Sequence, residues 1–372
     1  MRIAITGDTH LNNNTYQIID QQSGLYVKSL DALNAFEWFG SEAIKNKVDR
    51  IVVLGDLYNH PDPTDAVRRR ANATIQKVVA AGIQVVILTG NHDFCSKYHA
   101  LESLKGWSPL VKIMDEPFIE TGIAAYIPHT FDIECERTNF HDSIASLPNG
   151  KGPQPKIFFG HFAVHGAMRD NHSIDNSGSS ISAAEIVGTG AEIAFLAHFH
   201  KYQRIKADIP IFYCGSIENH RMDDMDGKRG FFIYDTEDGD FDFVDYPHCR
   251  PMHSIEVDSV ESAVALFSDG EWEGSIVRIE VIGDNSNFID VRTKFAEVKR
   301  AFASAGGIHI YCKDGTGKKD NKEVSKVEIE SIDDIDVMGI LRAEIESEAA
   351  DDEQRDACLS LLAKVHEEET SK

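Results

Sequence analysis

Three times in the first ninety residues, a short and almost uninterrupted apolar run ends on a glycine followed at once by an acidic or amide side chain. Ile3-Ala4-Ile5-Thr6 gives way to Gly7-Asp8, Ile51-Val52-Val53-Leu54 to Gly55-Asp56, and Val85-Val86-Ile87-Leu88-Thr89 to Gly90-Asn91. Apolar runs this short, bounded by glycine, read as buried strands of a parallel sheet. Residues 26–47 and 65–81 between them carry helical periodicity, so strands at 2–6, 50–54 and 84–89 are expected with crossover helices. A polar side chain just past such a strand stands in the crevice where α/β sheets hold their ligands.

Further apolar runs follow at 123–127, 156–159, 193–197, 211–213, 231–234 and 241–244, with fewer helices between them. A mixed sheet, or two sheets packed face to face with helices outside, fits this order. After Pro251 the rhythm restarts: strands are expected at 252–257, 275–282 and 308–312, with helices at 259–267 and 287–304. This is an α/β module of about 65 residues, small enough to need support from a neighbour. The expected division is therefore a main domain over 1–250, a small α/β domain over 251–313, a polar linker over 314–332 and a helical arm over 333–372. Helices at 333–347 and 352–367 in the arm carry the apolar stripes Ile335, Met338, Leu341, Ile345 and Cys358, Leu359, Leu361, Leu362, Val365.

The formal charge of −24, from 61 acidic and 37 basic residues, denies the chain an overall basic footprint. Any contact with nucleic acid must rest on local patches, bound metal or a partner. Six scattered cysteines without a Cys-x-x-Cys pair point to a reducing, cytosolic setting, and no apolar run approaches the 18 residues of a membrane span.

Five segments carry the chemistry: Gly7-Asp8-Thr9-His10, Gly55-Asp56-Leu57-Tyr58-Asn59-His60, Gly90-Asn91-His92-Asp93, Gly160-His161 and Ala197-His198-Phe199-His200. Singly, each has an ordinary explanation. An Asp-x-His at a strand end is more often a turn, Asn91 suits a left-handed turn, Asp56 a helix cap and His161 a satisfied core imidazole. Together and in order they offer oxygen donors from Asp8, Asp56 and Asn91 and imidazoles from His10, His161, His198 and His200. That mixture suits Mn, Fe or Zn rather than Ca. Seven ligands exceed what one ion needs. With Asp56 bridging they suit two ions about 3.5–4 Å apart, the arrangement used for in-line displacement at phosphorus.

As a set, these motifs resemble the calcineurin-like metallophosphoesterases over roughly the first 200 residues. The resemblance implies a sandwich of mixed β-sheets flanked by helices. It assigns Asp8, His10, Asp56 and His200 to one metal and Asp56, Asn91, His161 and His198 to the other, with His92 catalytic and Asp93 orienting it. Tyr213-Cys214-Gly215-Ser216-Ile217-Glu218, with Lys228-Arg229-Gly230-Phe231 after it, is similar to the SbcD branch of nuclease subunits in double-strand-break processing, the phage-encoded members included. This branch implies a manganese-dependent DNA exonuclease and endonuclease with a capping domain. It also implies a homodimer within a heterotetramer, whose SbcC-type coiled-coil ATPase binds the C-terminal arm. One departure stands out: the branch commonly has histidine three residues after the bridging aspartate, where this chain has Asn59 and then His60.

Two other functions remain open at this level: a phosphatase acting on nucleotides or phosphoproteins, and a non-catalytic interaction module with a phosphoesterase fold. The second is disfavoured because neither a ligand nor His92 is missing. Arg68-Arg69-Arg70 is a candidate phosphate contact or a solvated helix face. Lys318, Lys319 and Lys322 form a second basic strip in a linker-like stretch. His165, His172 and His220 read as surface residues or as supports behind the ligands.

Overall fold

The computed structural model describes residues 1–95, 98–129, 140–142, 153–169, 172–173, 181–225, 227–268, 270, 272–283 and 285–315. The helical arm over 333–372, most of the linker, and Lys318, Lys319 and Lys322 lie outside these residues.

In chain order come β1 (Arg2–Thr6), α1 (Val27–Lys45), β2 (Arg50–Val53), α2 (Asp65–Ala80) and β3 (Gln84–Leu88). A small hairpin, β4 (Phe94–Cys95) and β5 (Tyr98–His99), precedes β6 (Val111–Met114), β7 (Phe118–Glu120), β8 (Ala124–Ile127) and β9 (Ile157–His161). A second, β10 (Met168–Arg169) and β11 (His172–Ser173), precedes β12 (Ile193–Ala197), β13 (Gln203–Ile205), β14 (Ile211–Tyr213), β15 (Gly230–Asp235) and β16 (Phe241–Asp245). The last strands are β17 (Met252–Val257), β18 (Ile276–Val281) and β19 (His309–Asp314).

Two six-stranded sheets result, ordered β16-β15-β1-β2-β3-β6 and β13-β14-β12-β9-β8-β7. In the first, β1, β2, β3 and β6 run parallel, β15 pairs antiparallel with β1, and β16 pairs antiparallel with β15. In the second, β14, β12, β9 and β8 are parallel, with β13 and β7 antiparallel at the edges. Of the two arrangements left open by the order of apolar runs, the chain thus adopts the two-sheet one.

The period of two along a strand sorts its residues between layers. Ile3, Ile5, Val52, Leu54, Val86 and Leu88 face inward against Tyr126, Phe159, Phe195 and Phe212 of the second sheet. Ala4, Ile51, Val53, Val85 and Ile87 face outward against Phe36, Phe39, Ala71, Ile75 and Val78 of α1 and α2. Ala125, Ile127, Phe158, Ala194 and Leu196 form the far face of the second sheet, covered by Phe140, Phe162 and Ile186. The central strands have protein on both sides, hence their nearly unbroken apolar runs. Each Val, Leu, Ile or Phe among them, taken out of water, contributes roughly 1.5–3 kcal/mol.

At the end opposite the ligand segments, one polar cluster crosses between the sheets. The Arg50 guanidinium donates to both carboxylate oxygens of Glu120 at 2.8 and 3.0 Å, to the Tyr126 hydroxyl at 2.5 Å and to Gln84 Oε1 at 2.6 Å. Sequence patterning offers no hint of β6, β7 or β13, which are short edge or near-edge strands.

The three parallel strands β17, β18 and β19 form a separate small sheet. The segments Val260–Leu266, Asn285–Thr293 and Phe295–Ser304 are helical. Val260, Ala263, Val277, Ile279, Val281, Val291, Val298 and Phe302 form the module's core. The single helix expected over 287–304 is two, broken at Lys294 (φ −96°, ψ 13°). Because Val291 and Val298 serve the same core on either side of the break, the apolar spacing reads through it.

Candidate metal centre

All five segments meet at one end of the two sheets. Asp8 and His10 follow β1, Asp56 follows β2, Asn91 to Asp93 follow β3, His161 closes β9, and His198 and His200 follow β12. Backbone bonds from Asp8 N to the Gly55 carbonyl, His10 N to the Asp56 carbonyl and Leu11 N to the Leu57 carbonyl hold the first two loops side by side. The chain turns sharply there: Asp8, His10, Asp56 and His198 all have positive φ, at 47°, 45°, 50° and 101°. Non-glycine residues seldom adopt this region, and four together at a sheet end mark a site held by its surroundings. Gly90 is demanded by contact, since a Cβ on it would run into the Asp56 carboxylate and amide.

The candidate donor atoms pack on either side of Asp56. His10 Nε2 and His200 Nε2 are 3.0 Å apart, and Asp8, His10 and His200 bring ligand atoms together in one cluster. On the other side Asn91 Oδ1 is 3.1 Å from His161 Nε2 and 3.0 Å from His198 Nδ1. Asp56 Oδ2 lies between, 3.6 Å from His10 Nε2 and 3.5 Å from His161 Nε2. Ligands at about 2.1 Å from an ion and at right angles to one another stand about 3 Å apart. Neighbouring donors are therefore spaced as cis ligands of an ion are, and the donor set fits divalent metal.

For His161 and His220, neighbours settle which ring nitrogen bears the proton. A carbonyl only accepts, so His161 Nδ1–H donates to the Leu54 carbonyl at 2.7 Å and leaves its Nε2 lone pair in the cluster. His220 Nε2 donates to the Asp8 carbonyl at 2.7 Å, and the His198 amide donates to both Asp8 oxygens at 3.0 Å. Burial pushes His10, His161 and His220 well below the usual imidazole range, keeping the rings neutral as ligation requires. It pushes Asp8 up to about 6, and Asp56 rises well above the usual carboxylate value through burial and the nearby charges of Asp93 and Asp8. Packing three buried carboxylates together is unfavourable unless protons or cations offset the charge.

His92 stands at the open side of the cluster, its ring centroid 4.7 Å from that of His10. The orienting contact expected from Asp93 is absent. Asp93 is buried and accepts from the backbone N–H groups of Tyr58 (3.1 Å) and Gly90 (2.9 Å), so it fastens the loops behind the site. Instead, His92 Nδ1 is 3.2 Å from the Asn59 carbonyl, and its backbone N–H donates to Asp56 Oδ1 at 2.8 Å. Asn59, the departure from the branch pattern, thus reaches His92 through its main chain.

Arg70 pairs with Glu37 on α1, and Arg68 with Asp62 and the Pro63 carbonyl, so this run serves its own helix surface. Glu218 lies beneath the cleft, accepting from the buried Lys28 at 3.2 Å. His220, a surface or supporting residue in sequence, is buried behind His10 and His200. Asp224 carried no motif signal: its Oδ2 is 3.3 Å from His200 Nδ1. The cleft above the ligands is lined in part by Lys201, Arg221 and Arg229, basic residues contributed by three separate segments.

Comparison with known proteins gives these groups a context. The Calcineurin-like phosphoesterase family pattern matches residues 1–202. The SbcD component of the nuclease SbcCD from Escherichia coli (strain K12) is 24% identical over 325 residues, covering 76% of this chain and 78% of the relative. The SbcD component from Staphylococcus epidermidis is 21% identical over 315 residues, covering 77% and 78%. The DNA double-strand break repair protein Mre11 of Methanosarcina mazei is 22% identical over 358 residues, covering 88% of this chain and 52% of the relative. With a family pattern that runs from the first strand to just past His200, more than half of its length, the chain belongs to the calcineurin-like phosphoesterases.

Proposed function

We propose that this protein is a DNA nuclease subunit that hydrolyses phosphodiesters at a two-metal centre. The observation that carries the reading is the division of seven side chains into two groups sharing Asp56 Oδ2, at the spacing of cis metal ligands. In this reading Asp8, His10, Asp56 and His200 hold one ion, and Asp56, Asn91, His161 and His198 the other. Two divalent ions, manganese by the resemblance, would supply Lewis acidity for activating a water there. His92 is assigned to the leaving oxygen. Its Nδ1–H is committed to the Asn59 carbonyl, which leaves Nε2 to carry a proton to or from the scissile group. Lys201 and Arg221 border the same cleft, beside Asp223 and Asp224, and are its candidate contacts for a polyanionic substrate; Arg229 is buried and bonded to the protein's own loops.

DNA as the substrate is supported by the names of the relatives, and by the α/β module and C-terminal segment that accompany the phosphoesterase domain. The segment 333–372 is assigned to an SbcC-type ATPase partner, with the module as the DNA cap. The test compares manganese-dependent degradation of linear DNA with hydrolysis of small phosphate monoesters and diesters. Degradation of DNA that is abolished by chelator supports the reading. Rapid monoester turnover with DNA left intact would move the assignment to a phosphatase, and no turnover of either would move it to an interaction module.

A further inference from the structure

Three consecutive residues in the turn Met222–Asp224 have three different addresses. Met222 is buried with Met252 of β17 and Ile276 of β18. Asp223 Oδ1 accepts from the Arg278 guanidinium at 2.9 Å, and that arginine, on β18, is held further by the Ser254 hydroxyl at 2.9 Å and by Glu280 at 3.2 Å. Asp224 turns the other way. Its buried carboxylate lies 3.3 Å from His200 Nδ1 and accepts the backbone N–H groups of His220 and Arg221, both at 3.1 Å. Arg229 donates to the carbonyls of Asp224 and His200 and to Ser216 Oγ, locking the turn to the ligand loop.

We infer that Asp224 is a positioning residue for His200, and that the Met222–Asp224 turn with Arg278 ties the seating of the three-stranded module to the metal centre. This rests on the reading of His200 as a ligand. A carboxylate on Nδ1 fixes the ring's tautomer and aim, leaving the Nε2 lone pair directed at the cluster beside His10. Successive Cα atoms are only about 3.8 Å apart, so the module edge cannot shift Met222 and Asp223 without dragging the carboxylate that aims the ligand. The sheet β17-β18-β19 thereby acts on metal affinity without contributing a ligand.

The experiment is calorimetric titration of manganese into the metal-free, full-length protein and four variants, each checked for folding by thermal melting. Two ions should bind the unaltered protein. Asp224→Ala should weaken one of them by about ten- to a hundredfold and leave the other in place. Arg278→Ala and Asp223→Ala should weaken that same ion by roughly two- to thirtyfold, and the exchanged pair Asp223→Arg with Arg278→Asp should recover most of the loss. The rate of each single variant should return towards normal at saturating manganese, because the lesion is in ion affinity. Wild-type isotherms for Asp224→Ala overturn the positioning role. Unchanged isotherms for both Arg278→Ala and Asp223→Ala overturn the link to the module, a result available even if Asp224→Ala does not fold. Fewer than two ions on the unaltered protein defeats the metal-centre reading instead.

Discussion

Asp56 is the residue on which the two halves of the site depend. Its Oδ2 faces His10 on one side and His161 on the other, while its Oδ1 takes the His92 amide. An amide in its place lacks the charge to hold two dications, so Asp56→Asn should abolish hydrolysis and lose at least one ion, as metal analysis after desalting would record. Without metal the variant should melt no lower than the parent, because burial and two neighbouring carboxylates already disfavour the ionised form. The parent should gain about 2.7 kcal/mol per ion at a hundredfold excess over Kd; a variant with the same gain and normal turnover would refute the bridging role. His92 predicts a different pattern, since it donates its backbone to Asp56 and its ring to the cleft. His92→Ser should keep both ions while losing about 10²- to 10⁴-fold in rate. Loss of an ion in that variant would make His92 a ligand. At this scale the sequence named all seven clustered side chains, because each directly follows or closes a strand. It missed Asp224, whose partner His200 is 24 residues away and whose turn follows no strand.

Among the elements, the strand ends bring the site together and the opposite ends keep the sheets in register. Arg50 opens β2, and its bidentate pair with Glu120 on β7 crosses from one sheet to the other. Glu120→Gln should destabilise the protein by about 1.5–3 kcal/mol near neutral pH, the usual worth of hydrogen bonds to a charged group. Arg50 holds the Glu120 carboxyl below its usual value of 4.5. The sign follows: a depressed acid contributes stability above its unfolded value and loses it as pH falls through the folded value. The gap between parent and variant in chemical denaturation should therefore be full above about pH 5 and close progressively below 4.5. A gap unchanged at acid pH would assign the cost to packing. Edge strands such as β7 and β13 escaped the sequence reading because three residues are too few to show a period. The central strands were legible because both their faces are buried.

For the whole molecule, the residues up to Thr316 form one compact unit that includes the three-stranded module. Every proposed ligand precedes Lys201, and the module's own core is closed by its helices. A chain ending at Lys322 should therefore fold cooperatively and bind two ions. It should lose the proposed ATPase partner, because the stripes with Met338, Leu341, Leu361 and Leu362 go with the removed segment, each worth roughly 1.5–3 kcal/mol when buried. The measurements are co-purification and calorimetric titration of the full and shortened chains with an SbcC-type ATPase. Unchanged binding would place the interface elsewhere, and collapse of the shortened chain would show that the removed segment belongs to the core.

The sequence alone determined the alternation of strand and helix, the position of each candidate donor just past or at a strand end and the divalent-metal character of the donor set. These are local properties: apolar period, glycine followed by an acid, and the chemistry of the side chains themselves. The tertiary structure decided what depends on partners distant in the chain. It stacked two sheets, where apolar runs alone also allowed one, because the central strands bury both faces. It put Asn59 rather than Asp93 on the His92 ring, since a buried carboxylate between two backbone N–H groups is already satisfied. It also set Asp224 behind His200 and Arg278 beside Asp223, contacts that span 24 and 55 residues and that no spacing rule encodes.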